Sequence, residues 1–409
     1  MNKKILTGVI TLLLSIPGFS QKDITITVTN NSKTSKLNEP IVLNLKDYNT
    51  DIVRSATVKC DGKEIPCQLD DINQDGIMDE LCFITDIEKK SSKKINITLS
   101  YEGLPKEYPS KVYVEMLLSN KKIKESNKQN LYISHLTVDR DVNPYWSLHH
   151  HGAAFENDMV AYRIYFDHRQ TVDIYGKYNK GLELKQTQFY PDENQKKAGF
   201  GDDVLWVGST LGLGTLRGWD GSKPTMLTYV DKRSQRIISR GPLRTIVEVK
   251  DVAWRPQPGQ EPIDMTTLYI LYTGRRECHV KATFNKNVDK YKFSTGIINV
   301  KNSKEFSDKQ GLRGCWGTDW PVSEKDSAGH KRETVGLGIY IPQEYIISEE
   351  GANKDNYAFV ISSKTNEINY KITFCSDNEK FGFHNAEKWF DYLKEWKKEQ
   401  ENPIIISKQ

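Results

Sequence analysis

The alternation of apolar and polar residues is what most constrains this chain. From Asp23 onward, Ile24, Ile26 and Val28 fall on one side of an extended segment, and Thr25, Thr27 and Thr29 on the other. In a strand successive side chains point to opposite faces, so the stretch reads as a half-buried β-strand. Val112, Val114, Met116 and Leu118 repeat the pattern, as do segments 244–251, 266–273, 334–341, 357–361 and 368–374. Asp61-Gly62 stands between two such runs as a two-residue hairpin signal. One segment follows another period. After Asn385, a good helix cap, Trp389, Tyr392, Leu393 and Trp396 form one helical stripe. Glu387 suits the start of that helix, and Lys397 and Lys398 its end. The expectation is an all-β chain with an N-terminal β region and one C-terminal helix.

The first twenty of the 409 residues are read apart from the fold. A short basic head (Lys3, Lys4) precedes an apolar run from Ile5 to Leu14, then Pro17, Gly18 and Ser20. This three-part pattern predicts a signal peptide over 1–20, cleaved after Ser20, and a periplasmic or secreted protein. The run is too short to span a bilayer, no later stretch is long enough, and no membrane insertion of the mature chain is expected. The remaining organisation is read as 21–118, an N-terminal β-sandwich region; 119–130, a lysine-rich linker or exposed loop; 131–384, the main sandwich; and 385–409, the helix and tail. Without Lys3 and Lys4 the formal charge falls from +4 to +2, which gives no reason to expect a nucleic-acid partner. The basic run Lys89–Lys94 reads as a solvated hairpin turn. Six cysteines (60, 67, 82, 278, 315 and 375) permit several pairings in an oxidising compartment, and none forms a C-x-x-C zinc motif.

Asp71-Ile72-Asn73-Gln74-Asp75-Gly76-Ile77-Met78-Asp79 is the sharpest local motif. A hard cation such as Ca²⁺ takes six to eight oxygens, and side chains at alternate positions of a tight loop supply them. Asp71, Asn73 and Asp75, the Ile77 carbonyl and the closing carboxylate Asp79 make the expected set. Cys82 stands where an EF-hand needs Glu, so the loop is of the β-hairpin kind. A bare Asx-rich turn is the alternative.

Chemistry concentrates between His149 and Lys177. His149, His150 and His151 precede Gly152, then Glu156, Asn157 and Asp158, then Arg163 and Tyr165, and after a turn Asp173, Tyr175 and Lys177. Strand parity puts Arg163 and Tyr165 on one face and Tyr162 and Ile164 on the other; Asp173, Tyr175 and Lys177 oppose Val172 and Ile174. Two neighbouring strands with polar groups on one face suggest the lining of a cleft. An extended His149–His151 would turn His149 and His151 one way and His150 the other. Zinc on such a pair, with Glu156 or Asp158, is the rival reading. Asp203 follows in a flexible Gly-rich loop, and the segment from Cys315 to Pro321 sets Trp316 and Trp320 where they could stack on sugar. The glycines from 208 to 221 match neither phosphate-loop nor dinucleotide patterns, so no nucleotide cofactor is expected.

Taken together, Gln68-Leu69-Asp70-Asp71, Asp75-Gly76, His150-His151-Gly152, Phe155-Glu156-Asn157, Ala161-Tyr162-Arg163, Tyr175-Gly176-Lys177 and Gly241-Pro242-Leu243-Arg244 resemble a secreted bacterial family catalogued as domain of unknown function 4861. That resemblance implies a large antiparallel β-sandwich of galactose-mutarotase-like type and a setting of polysaccharide breakdown, particularly of uronic-acid glycans such as pectin. The expected ligand is then an oligosaccharide or polysaccharide. The leading expectation is lyase-type β-elimination. Arg163 or Lys177 would hold the uronate carboxylate, His150 or His151 would be the base, Tyr175 or Tyr165 the acid, and Glu156 would orient a histidine. His149, Asn157, Asp158, Tyr165, Lys177, Asp203, Trp316 and Trp320 would bind substrate. A glycoside hydrolase would use Glu156, Asp158 or Asp203 as its carboxylates. A mutarotase or epimerase would use His151 and Glu156. A non-catalytic glycan binder would rely on the Trp316–Trp320 loop.

Overall fold

The structure is a computed structural model that describes residues 21–50, 52–257 and 259–408. The expected signal peptide lies outside the described residues. Alternation becomes strand as read: Gln21–Asn30 pairs with Ser91–Ser100, which pairs with Ser55–Cys60. With Lys63–Ile65 these form most of one sheet, and Lys36–Asn44, Glu80–Ile87 and Cys67–Asp70 form a second. Ile26, Val28, Ile41, Val58, Phe83 and Ile97 close the core between them. The final strand, Ile405–Lys408, returns to pair with Gln21–Asn30. The tail after the helix therefore completes the N-terminal sheet.

The larger unit is built on a nine-stranded antiparallel sheet running from His135–Asp139 at one edge to Lys304–Ser307 at the other. Two five-stranded sheets face it. One contains Gly152–Asn157, Ala161–Tyr165 and Val172–Gly176; the other contains Arg217–Trp219, Phe293–Ile298 and Asn356–Ile361. Their inward residues share one core, in which Tyr162, Ile174, Val247, Tyr269, Phe293 and Phe359 all take part. The two units are joined by buried polar contacts. Gln68 Oε1 accepts from the Leu243 and Arg244 amides, and Arg244 pairs with Asp70 at 2.6 Å and with Glu80 at 2.7 Å.

The C-terminal helix spans Ala386–Glu401, and Asn385 caps it by accepting from the Lys388 amide at 2.9 Å. Trp389, Leu393 and Trp396 are buried, and Trp389 Nε1 donates to the Leu337 carbonyl. Gly314 and Gly338 make the seat: a Cβ on either would lie 2.3 or 2.5 Å from Leu393. Full burial of such a leucine contributes roughly 1.5–3 kcal/mol. Segment 119–130, read as a linker or exposed loop, has no helix or strand and is mostly exposed, with two anchoring residues. Asn127 and Gln129 are buried, and they bond with Gln195 and Gln188. The six cysteines are free thiols, all buried. Among the described residues no helix is long and apolar enough to cross a membrane.

Candidate functional site

Strand register explains the polar layer between His149 and Lys177. Glu115, Ala154, Arg163 and Asp173 are cross-strand neighbours in one row; Tyr113, Glu156, Ala161, Tyr175 and Asp203 make the next. Alanines at 154 and 161 leave room for the long side chains beside them. The face is not an open cleft. The segment carrying the short helices Leu184–Thr187 and Glu193–Lys197 covers it, with Leu184 and Phe189 packed on Ala154, Ala161 and Tyr175.

Under this cover several expected site residues bond to the protein itself. Lys177 Nζ donates to Glu156 at 2.5 Å and to the Asn157 carbonyl at 2.6 Å, with both ion-pair partners fully buried. Glu156 also accepts from the amides of Glu183 and Leu184, at the start of the first short helix. It orients no histidine, and Lys177 has no route to a ligand. Tyr175, expected as an acid, is buried, its hydroxyl 2.7 Å from the Gly201 carbonyl and 3.0 Å from Glu183. Asn157 is a turn residue, donating to the Tyr272 and Arg275 carbonyls and accepting from the Met159 and Val160 amides. Asp158 accepts from the Gly274 amide.

Arg163 is 2% exposed. Its Nη2 meets both Asp173 and Asp203, the latter at 2.9 Å, and also donates to Tyr165. Nη1 donates to Tyr190, and the guanidinium lies 4.1 Å from the Phe189 ring centroid. Both Nη atoms of Arg163 are thus engaged inside the protein and its buried Nε has no partner among the described residues, so the side chain is closed off from a substrate carboxylate. Burial, and after it Asp173, raises the Asp203 carboxyl well above the usual range. Two carboxylates against one guanidinium retain a proton. Asp203, whose side chain is 19% exposed, is the member of the pair with access to solvent.

The histidines are not extended as expected. They form a tight turn in which His150, at φ 40°, and His151, at φ 66°, take left-handed backbone. Gly152 follows where a Cβ would lie 1.8 Å from the Ile164 carbonyl oxygen, so only glycine lets the turn enter the strand. The three rings have separate fates. His149 is buried, with Nε2 on the Gln188 carbonyl, and burial together with His150 lowers its pKa to about 3. His150 is buried, with Nε2 3.2 Å from Glu115 Oε1. The distance would suit an ion pair, yet burial takes the imidazole down to about 3 and the carboxyl up to about 8. Both directions oppose charge, so this is a neutral hydrogen bond.

His151 alone reaches the surface layer. Its Nδ1 bonds the Tyr145 carbonyl at 2.9 Å, and its ring lies on the Tyr145 ring with centroids 3.7 Å apart. Burial lowers its pKa to about 4. Arg169 stands over the Tyr145 and Tyr165 rings at 4.7 and 5.1 Å, anchored by Asp167 at 2.6 Å. Trp146 meets His151 edge-on at 5.4 Å and is 79% exposed. Tyr165 completes the group, its hydroxyl donating to Asp173. Sequence reasoning missed Tyr145, Trp146, Arg169 and Tyr190. The first two follow Pro144 immediately before the histidines, a signal that could have been weighed. Tyr190 lies in a covering segment that strand periodicity does not reveal.

Trp316 and Trp320 do not share a loop platform. Trp316 lies in the strand Leu312–Asp319 and packs in the cluster formed with the C-terminal helix. Trp320 carries Arg332 over its ring at 5.1 Å, and its carbonyl accepts from the amide of Trp206, itself 43% exposed. In the hairpin loop, Asp71 accepts from the Asp75 and Gly76 amides, Asp75 from Ile77, and Asp79 from Ile72. Asn73 accepts from the Asp75 amide, and Asp79 lies 3.2 Å from Lys46. Among the described residues no three His, Cys, Asp or Glu side chains gather into a metal-holding group. The zinc reading has no such group to rest on.

The model of the family described as domain of unknown function DUF4861 matches residues 28–406. The chain belongs to this family. No curated protein matches the chain. Among solved structures, a protein in glycosyl hydrolase family 38 from Enterococcus faecalis aligns with TM-score 0.49 and 9% identity, over 95% of this chain and 47% of that one. An alpha-mannosidase from Enterococcus faecalis V583 aligns with TM-score 0.48 and 10% identity, over 95% and 46%. The chain spans less than half the length of these two structures.

Proposed function

We propose that this DUF4861 protein is a carbohydrate-active enzyme that cleaves acidic, uronic-acid-containing oligosaccharides by β-elimination around His151. The observation that carries the reading is the setting of His151. With Nδ1 committed to the Tyr145 carbonyl, the neutral ring keeps its lone pair on Nε2. The lowered pKa keeps it in that state at neutral pH. The exposed Trp146 ring beside it offers a face for a sugar.

In this mechanism His151 Nε2 takes the proton beside the uronate carboxylate. The released electron pair forms the C4–C5 double bond, the C4–O bond breaks, and the leaving oxygen takes a proton from Asp203. Arg169, the cation that remains near the surface, faces the carboxylate in place of Arg163 or Lys177. The test is turnover of pectic oligosaccharides to an unsaturated uronide by the wild type and by His151→Ala.

A non-catalytic glycan-binding role is favoured by one further observation, the exposure of both Trp146 and Trp206. Retained affinity without product would select it. We also propose a structural calcium ion at the hairpin loop, because Asp71, Asn73, Asp75, Ile77 and Asp79 alternate along it and would offer a hard cation oxygens in place of their amide and Lys46 partners.

A further inference from the structure

Seven arginines are buried among the described residues. Six of them, Arg163, Arg233, Arg244, Arg275, Arg276 and Arg313, each have a carboxylate oxygen within 3.5 Å. Arg217 has none in ion-pair range. It is 1% exposed and bonds only neutral oxygens. Nε and Nη2 donate to the Arg169 carbonyl at 3.2 and 3.0 Å, Nη2 also to Thr171 Oγ1, and Nη1 to the Ser209 carbonyl at 2.8 Å. A guanidinium has five N–H groups, so one on Nη1 is left without a protein acceptor among the described residues. Burial lowers the Arg217 pKa to about 10, whereas the carboxylate-paired Arg275 is raised.

A buried cation without a counter-charge is costly and ordinarily finds one. Arg217 lines a cavity of about 440 Å³, walled by Ser209, Thr210, Thr225 and Asn353, with Lys223 exposed at its margin. We infer that this cavity is a binding site for an oxyanion-bearing saccharide, with Arg217 supplying the charge that receives its carboxylate or sulfate group. Guanidinium suits either oxyanion. The polar wall suits ring hydroxyls. Asp355 also lines the cavity, and its carboxylate suits the hydroxyl donors that a sugar acid brings together with its anion.

The cavity adjoins the His151 cluster through one residue. The Arg169 side chain belongs to that cluster, and its carbonyl holds Arg217. The inference does not depend on the proposed elimination, since His151→Ala leaves this binding intact whether or not turnover exists.

The test is calorimetric titration of the whole protein with sulfate, galacturonate and galactose at matched ionic strength. Saturable binding of at least one oxyanion is expected, and none of galactose. The tighter of sulfate and galacturonate tells a sulfate ester from a uronate. Binding weakens at least about tenfold in Arg217→Lys and about threefold in Lys223→Glu. Lys223 is exposed, so its variant decides the matter should Arg217→Lys fail to fold. Absence of saturable oxyanion binding, equal binding of galactose, or affinity unchanged in the folded variants overturns the inference.

Discussion

The imidazole of His151 lies flat on the phenol of Tyr145, with planes 5° apart, and its Nδ1 is bonded to the carbonyl of that same tyrosine. One residue therefore fixes both the plane of the ring and the nitrogen that carries its proton. The arrangement leaves Nε2 as the basic atom.

The first prediction concerns pH. An ordinary histidine base gives an acid limb near 6.5, but burial has lowered His151 to about 4. The kcat/KM for uronide release should stay level from neutral pH downward and fall with an apparent pKa near 4. A limb near 6.5 would mean that a different base acts.

The second concerns Lys177 and Glu156, whose ion pair is fully buried and joined to the start of a helix in the covering segment. Removing one partner strands the other charge, at a cost of about 3–5 kcal/mol. Lys177→Met should lower the unfolding free energy, read from urea denaturation, by that amount. If Lys177 instead faced ligand, the variant would fold normally and lose affinity alone.

The third separates Glu115 from the histidine beside it. Burial raises the Glu115 carboxyl from 4.5 to about 8, so its contribution is complete below pH 4.5 and is lost as pH rises toward 8. His150 is lowered from 6.5 to about 3, so its contribution is complete above pH 6.5 and is lost as pH falls toward 3. Glu115→Gln removes only the first effect. Urea midpoints at pH 5 and pH 8 should show the variant gaining on the wild type as pH rises. A difference independent of pH would contradict the neutral carboxyl.

Much of the fold was legible because a period of two is a local property. The strand 21–30 and the Asn385-capped helix could be read residue by residue. The polar face of Arg163, Asp173 and Tyr175 was legible for the same reason. Its fate was not. Whether such a face meets water or a covering segment depends on residues such as Phe189, whose contact with the strands is set by tertiary packing. The histidine turn was likewise hidden, since positive φ at His150 and His151 leaves no mark in hydropathy. Ile405–Lys408 is four residues long and pairs with a strand at the far end of the chain.

The fourth prediction tests the calcium loop. A chelator should lower the melting temperature and strip about one metal ion per chain, and Asp71→Ala or Asp75→Ala should abolish both responses. An unchanged melt with no bound metal would leave the loop as the hydrogen-bonded turn that Asp71 and Asp79 already make.

The central claim is that His151 is the base of an elimination. The most direct measurement follows the ultraviolet absorbance of the unsaturated uronide during incubation with pectic oligosaccharides. The wild type should generate that signal, and His151→Ala, melting within a few degrees of it, should be slower by about 10²–10⁴-fold. Equal rates for the two proteins, or no unsaturated product from the wild type on any uronic-acid oligosaccharide, would contradict the account.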